Sequence, residues 1–248
     1  MRTWIDLNSD MGESFGNYVL GRPDEVMKQI NHANIACGFH AGDPLTIDKT
    51  VRMAVERDVA VGAHPSYPDL SGFGRRTMNV SEEEIEADVL YQISALAGIA
   101  RANGTDLCHV KPHGALYTNA ARDARLAGAI ARAVARFDKK LVLVGFPGGA
   151  LLAAGKHAGL LTAAEGFCDR AYEADGSLRA RDKRGAVFTD PEQAAHQALE
   201  LARAGLVQTL CIHGDTPGAA TMAFAVREAL HNAGIQIAPL AEVVGAKA

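Results

Sequence analysis

Short apolar runs alternate with segments of helical period along this chain, and few folds accommodate that alternation. The runs fall at residues 3–8, 34–38, 59–63, 107–110, 141–146, 161–166, 209–213 and 235–238. A buried parallel strand reads as such a run. Strands separated by helices imply a parallel sheet with helices outside it. Seven or eight units fit a closed or nearly closed (β/α) barrel, and an open doubly wound sheet shares the same alternation. With 248 residues, the chain matches the roughly 250 of a typical barrel, so we read 1–248 as one barrel domain.

The helices announce their starts. Ser81-Glu82-Glu83-Glu84 is a capping box, in which the Ser hydroxyl accepts from a backbone N–H and the Glu reaches back. Behind it Ile85, Val89, Ile93, Leu96 and Ala100 form a stripe at helical spacing. Asp43-Pro44, Asp190-Pro191 and Thr216-Pro217 each place a polar cap before proline, the pattern of a first helical turn. The stretch 172–184, rich in Asp, Arg, Lys and Gly, reads as a long excursion or hairpin.

Composition narrows the function. Net charge is −4 and no basic stripe is present, which argues against nucleic acid. The uncharged stretch 141–155 contains Pro147 and falls short of the about 20 residues a membrane span needs. The N-terminus has no apolar signal core, so a cytoplasmic protein is expected. Cys37, Cys108, Cys168 and Cys211 show no C-x-x-C spacing and read as buried thiols.

Four runs end at or near histidine and pass into Gly- or Pro-rich loops: at His40, at His64, at His109 and His113, and at His213. The C-terminal ends of parallel strands are where α/β proteins build their sites. Alternation puts Asp6, Asn8 and Asp10 on one side if the first strand runs that far. His40 and His64 come from consecutive units. With Asp10 they make a His-His-carboxylate set that suits a divalent metal with an open position, although no H-x-x-x-H spacing is present. Lys111 and His113 flank Pro112; Lys111 can polarise a carbonyl and His113 can move a proton. His109 sits deeper and reads as structural. Arg75 and Arg76, after two glycines, suit a carboxylate or phosphate. Asp169-Arg170 could form a bidentate pair or contact an anionic substrate, and His213 adds an imidazole beside Asp215, which could equally cap the helix expected at Pro217. No nucleotide loop appears. Gly149 to Gly155 has the wrong glycine spacing for a phosphate loop, and neither G-x-G-x-x-G nor G-x-S-x-G is present.

Several segments then resemble the signature blocks of the LamB/YcsF family, the A subunits of bacterial 5-oxoprolinase formerly called lactam utilization proteins. They are Asp6-Leu7-Asn8-Ser9-Asp10-Met11-Gly12-Glu13, the run from Ala33 through His40 to Pro44, Gly62-Ala63-His64-Pro65, Gly72-Phe73-Gly74-Arg75-Arg76, Val110-Lys111-Pro112-His113-Gly114, Glu165 through Tyr172, and His213-Gly214-Asp215-Thr216-Pro217. Cys168 stands where the family is expected to carry Ala. The resemblance implies a seven-stranded (β/α) barrel of the glycoside hydrolase/polysaccharide deacetylase type. It implies hydrolysis of 5-oxo-L-proline to L-glutamate with ATP as co-substrate, in a complex with subunits B and C. Asp10, His40, His64, Lys111 and His113 are the expected catalytic residues. Arg75, Arg76, Asp169, Arg170 and His213 are the expected substrate-binding residues. A divalent metal on Asp10, His40 and His64 and a homo-oligomer are open expectations. Two other classes fit the same residues: a stand-alone metal-dependent deacetylase or amidase, and a non-catalytic substrate-binding subunit.

Overall fold

The inner wall of the barrel is polar, and that decides how its strands are read. The computed structural model describes residues 4–216 and 218–245. Its elements in chain order are β1 (Trp4–Met11), α1 (Pro23–Val26), β2 (His32–Ala36), α2 (Pro44–Val55), β3 (Ala60–His64), α3 (Glu82–Ala102), β4 (Leu107–Val110), α4 (Gly114–Ala120) and α5 (Ala124–Phe137). They continue with β5 (Val142–Gly145), α6 (Ala150–His157), β6 (Thr162–Phe167), α7 (Pro191–Ala204), β7 (Thr209–His213), α8 (Ala219–Asn232), β8 (Gln236–Ile237) and α9 (Leu240–Gly245).

Strands β1 to β7 pair in parallel in sequence order, and β7 and β2 both pair with β1, closing a seven-stranded barrel. The run at 235–238 does not become an eighth stave. Only two of its residues pair, with Trp4 and Ile5 at the start of β1. The first strand is seen from Trp4, Thr3 lying outside the described residues, and it continues through Asp10.

Register assigns the two faces. Asn8 pairs with His32, Asp10 with Asn34, Asn34 with Gly62 and Gly62 with His109. Side chains alternate across a strand, so these residues share the lumen with Glu165, Thr209 and Cys211. The opposite face carries Leu7, Ile35, Val61, Val110, Leu143, Leu210 and Ile212, all in the main apolar core beneath the helices. Val142, Val144 and Ala163 form a smaller apolar cluster with Leu240 and Val244 of α9.

Lumen polar groups meet one another, as buried polar groups must. At the bottom, His32 and Thr209 both bond Asp6. One layer up, the Asn8 amide donates to Glu165 Oε1 at 3.1 Å and Thr209 Oγ1 at 2.6 Å. The Asn34 amide donates to Asn8 Oδ1 at 2.7 Å, and His109 Nε2 lies 2.6 Å from Asn34 Oδ1. Gly62 makes room for that histidine: a Cβ there would strike the His109 ring.

The helices start where sequence places them. Ser81 forms the full capping box with Glu84, and Ile85, Val89, Ile93, Leu96 and Ala100 are buried. Asp43 and Asp190 cap α2 and α7 through their side chains. The third expected start differs. Gly218, in the left-handed region, precedes α8 at Ala219, and Pro217 lies outside the described residues.

The lumen packing can be tested at two points. Gly62→Ala should destabilise the protein by about 1–3 kcal/mol through overpacking; a urea midpoint equal to wild type would contradict the close approach. Burial opposes charge on His32, but Asp6 outweighs it and raises the imidazole from 6.5 to about 10. A raised folded-state value stabilises fully below the unfolded value and fades as pH rises through the folded one. The stability difference between wild type and His32→Asn should therefore shrink from pH 6 to pH 10, measured by urea unfolding. A pH-independent difference would refute the pairing.

Candidate active site

Strand parity carries the lumen's polarity up to the C-terminal mouth. Asp10 ends the inner face of β1, His64 ends β3, Lys111 follows β4, and His213 ends β7. The Lys111 ammonium lies 2.6 Å from Asp10 Oδ1, 3.4 Å from Glu165 Oε1 and 3.2 Å from Cys211 Sγ. Phe167 presents its ring 5.6 Å from the same nitrogen. Burial alone would strip the charge from Lys111. Asp10, with Cys211 and Glu165, reverses that and holds it well above lysine's usual range. Burial likewise works against the Asp10 carboxylate, yet His64 and Lys111 hold it well below its usual value. The mouth therefore contains a buried pair charged at both ends.

His213 is oriented from behind. Its Nδ1 lies 2.8 Å from Asp169 Oδ1, and Asp169 also accepts from Thr216 Oγ1 at 2.9 Å. Burial would raise Asp169, but His213 outweighs it and keeps the carboxylate ionised. Nε2 of His213 is 4.0 Å from Asp10 Oδ2, and the ring stacks on Phe167. Gln197 of α7 fixes this corner by donating to the carbonyls of Phe167, Cys168 and Arg170.

Three more histidines gather on the other side. His64 Nδ1 is 2.6 Å from the Lys111 carbonyl, and its Nε2 is 3.0 Å from His113 Nδ1 and 3.4 Å from Asp10 Oδ2. His113 Nε2 is 2.9 Å from the Phe73 carbonyl. His40 stacks on His113 at 3.8 Å and places Nε2 3.1 Å from Glu13 Oε1. Burial, then neighbouring imidazoles, holds His113 and His40 well below the usual histidine range. Burial, with Asp10 and Asp215 near, pushes Glu13 well above the usual carboxylate range. The loop Gly72-Phe73-Gly74 lies over this cluster so closely that a Cβ on Gly74 would strike Ser66 and crowd His113 and His40.

A cavity of about 370 Å³ opens on these groups. Asp10, His64, Lys111, His113, Arg75, Arg170 and His213 line it, while His40 and Asp169 stand behind those side chains. Arg76 is elsewhere: it is an exposed arginine that braces Asp69, whose carboxylate also accepts from Gly72 N–H. Arg75 reaches Asp215 at 2.7 Å and crosses the Phe73 ring. Arg170 is buried and donates to the carbonyls of Ala186 and Arg179. Burial, with Arg181 nearby, lowers its guanidinium to about 10. Those bonds tie down the stretch read as an excursion, which carries a hairpin-like bridge between Tyr172 and Leu178 and supplies Leu178 to Arg181 to the cavity wall. Glu165 is a site residue that sequence reasoning misses. Its signal is a carboxylate inside an otherwise apolar run, which only register connects to Lys111.

The family model described as the LamB/YcsF family matches residues 5–245. The chain belongs to that family. It is 53% identical over 245 residues to a protein named as the A subunit of 5-oxoprolinase from Symbiobacterium thermophilum, covering 94% of each chain. It is similar to the crystal structure of the lactam utilization protein from Thermus thermophilus, with 47% identity, TM-score 0.89, and 96% and 99% of the two chains covered. A family 4 carbohydrate esterase from Streptomyces lividans superposes at TM-score 0.56 with 13% identity over 96% and 92% of the chains. That likeness concerns the fold, a deacetylase-type barrel. No helix among the described residues is long and apolar enough to cross a membrane.

The Asp169 bond fixes a tautomer. Nitrogen-15 spectra of the imidazoles should show His213 protonated at Nδ1, leaving Nε2 toward the cavity. Asp169→Asn should give a tautomer mixture; unchanged His213 signals would contradict the orienting role.

Proposed function

We propose that this chain is the hydrolytic subunit of an ATP-dependent 5-oxoprolinase, opening 5-oxo-L-proline to L-glutamate together with partner subunits B and C. The observation that carries the reading is the match, over nearly all of both chains, to relatives named as the A subunit of 5-oxoprolinase. The cavity supports it, because it offers both proton-transfer groups and cations for a small carboxylate.

In this reading water adds to the lactam carbonyl carbon, the ring C–N bond breaks, and the leaving nitrogen takes a proton. His213 Nε2, left without a proton by the Nδ1–Asp169 bond, accepts the water's proton and passes it to the leaving nitrogen, and Asp10 Oδ2 orients the water. The Lys111 ammonium stabilises charge developing on the carbonyl oxygen. Arg75 and Arg170 receive the substrate carboxylate, as guanidinium forks suit that group. An unstrained lactam gains from activation, and coupling to ATP in the complex supplies it.

The test is glutamate release from 5-oxoproline by this chain alone and with subunits B and C, with and without ATP. Turnover is expected only with all three chains and ATP. Lys111→Ala should then cost about 10²–10³ in kcat, and His213→Asn about 10²–10⁴. ATP-independent hydrolysis of an N-acetylated sugar or simple amide by this chain alone would overturn the reading.

A further inference from the structure

Two neighbouring histidines have their tautomers set by backbone carbonyls. A carbonyl oxygen only accepts, so His64 must donate through Nδ1 to Lys111 and His113 through Nε2 to Phe73. In neutral rings the remaining nitrogens, His64 Nε2 and His113 Nδ1, each present a lone pair. Those two atoms are 3.0 Å apart. Glu13 Oε1, a third lone-pair donor, is 3.4 Å from His113 Nδ1. Facing lone pairs of this kind repel one another unless a proton or a metal ion lies between them.

The spacing fits a metal ion. Donors about 2.0–2.1 Å from a tetrahedral zinc stand roughly 3.3 Å from each other. The separations 3.0 Å, 3.4 Å and, from His40 Nε2 to Glu13, 3.1 Å bracket that value. One donor atom from each of Glu13, His40, His64 and His113 lies within 4.8 Å of the other three. A metal-bound imidazole typically gives its other N–H to a carbonyl or carboxylate, and His64 and His113 both do so. His40 lacks that bond, its Nδ1 being buried without a partner.

We propose that Glu13, His64 and His113, with His40 as fourth donor, form a site for a divalent first-row transition-metal ion of the zinc class. Imidazole with a single carboxylate favours zinc, cobalt or nickel over magnesium or calcium. The carboxylate assigned is Glu13, because its Oε1 lies beside both His113 Nδ1 and His40 Nε2, whereas Asp10 gives Oδ1 to Lys111 and Asn34 and turns Oδ2 toward His64. A bound ion at this wall would supply Lewis-acid polarisation next to His64 and His113, which line the cavity. That functional consequence rests on the hydrolytic reading above; the binding does not.

The test titrates Co(II) into the metal-stripped chain and reads visible absorption, with zinc competition giving affinity. The wild type should bind one equivalent with a tetrahedral-type spectrum. Glu13→Gln and His113→Asn should each weaken binding by about 100-fold or more, and Asp10→Asn by less than tenfold. Circular dichroism checks that each variant folds, and X-ray absorption of the wild-type cobalt form, expecting imidazole scattering, needs no variant at all. No uptake at micromolar cobalt would mean a shared proton fills the gap, and would overturn the proposal. So would loss of binding in Asp10→Asn with retention in Glu13→Gln. Metal uptake without 5-oxoproline turnover in the full complex would instead sink only the functional reading.

Discussion

A lysine ammonium 2.6 Å from an aspartate inside a barrel is the contact on which the rest of this structure turns. Neither charge could stay there alone, since an unpaired buried ion costs several kcal/mol. Each holds the other ionised, and each is shared further: Asp10 with His64 and Asn34, Lys111 with Glu165 and Cys211. The pair joins β1 to the end of β4 across the lumen. The remaining lumen side chains can be understood as the hydrogen bonds needed to keep that arrangement satisfied down to Asp6 and His32.

This division of labour explains how one barrel can be both rigid and reactive. The outer strand faces and helices supply a dry apolar core, while the inner faces carry a polar column that surfaces at one end. The column delivers charged and imidazole groups to the cavity already oriented: His213 by Asp169, His64 by a carbonyl, Lys111 by Asp10. Preorganised groups of this kind are what the proposed lactam hydrolysis would demand.

Much of this is legible in the chain. The boundaries at 107–110 and 209–213 coincide with β4 and β7 because these runs end at abrupt turns. Strand β1 runs past the expected end at Asn8 to Met11, because Asp10 stays on its inner face, where Lys111 and Asn34 receive it, and hydropathy gives no sign of that. Strand β2 begins earlier than expected, at His32, because Asp6 gives that histidine a buried partner. At the site, the histidine tips and Lys111 announce themselves by position, whereas Glu165 does not, because its partner is distant in sequence and meets it only through strand register. Arg75 and Arg76 are alike in sequence, yet Asp69 captures one and Asp215 draws the other into the cavity wall. The choice between Asp10 and Glu13 as partner of the histidines depends on a turn at Gly12, with φ of 69°, that no spacing rule reveals.

The claim that the mouth is organised by a single buried charge pair is tested most directly by a double-mutant cycle. Asp10→Asn, Lys111→Met and the double variant would be compared by urea unfolding at pH 7. Each single change should destabilise by about 3–5 kcal/mol by stranding a buried charge, and the double variant should recover roughly 2 kcal/mol or more of their sum. Effects that add to within about 0.5 kcal/mol would show that Asp10 and Lys111 act independently, and the account built on their pairing would fail.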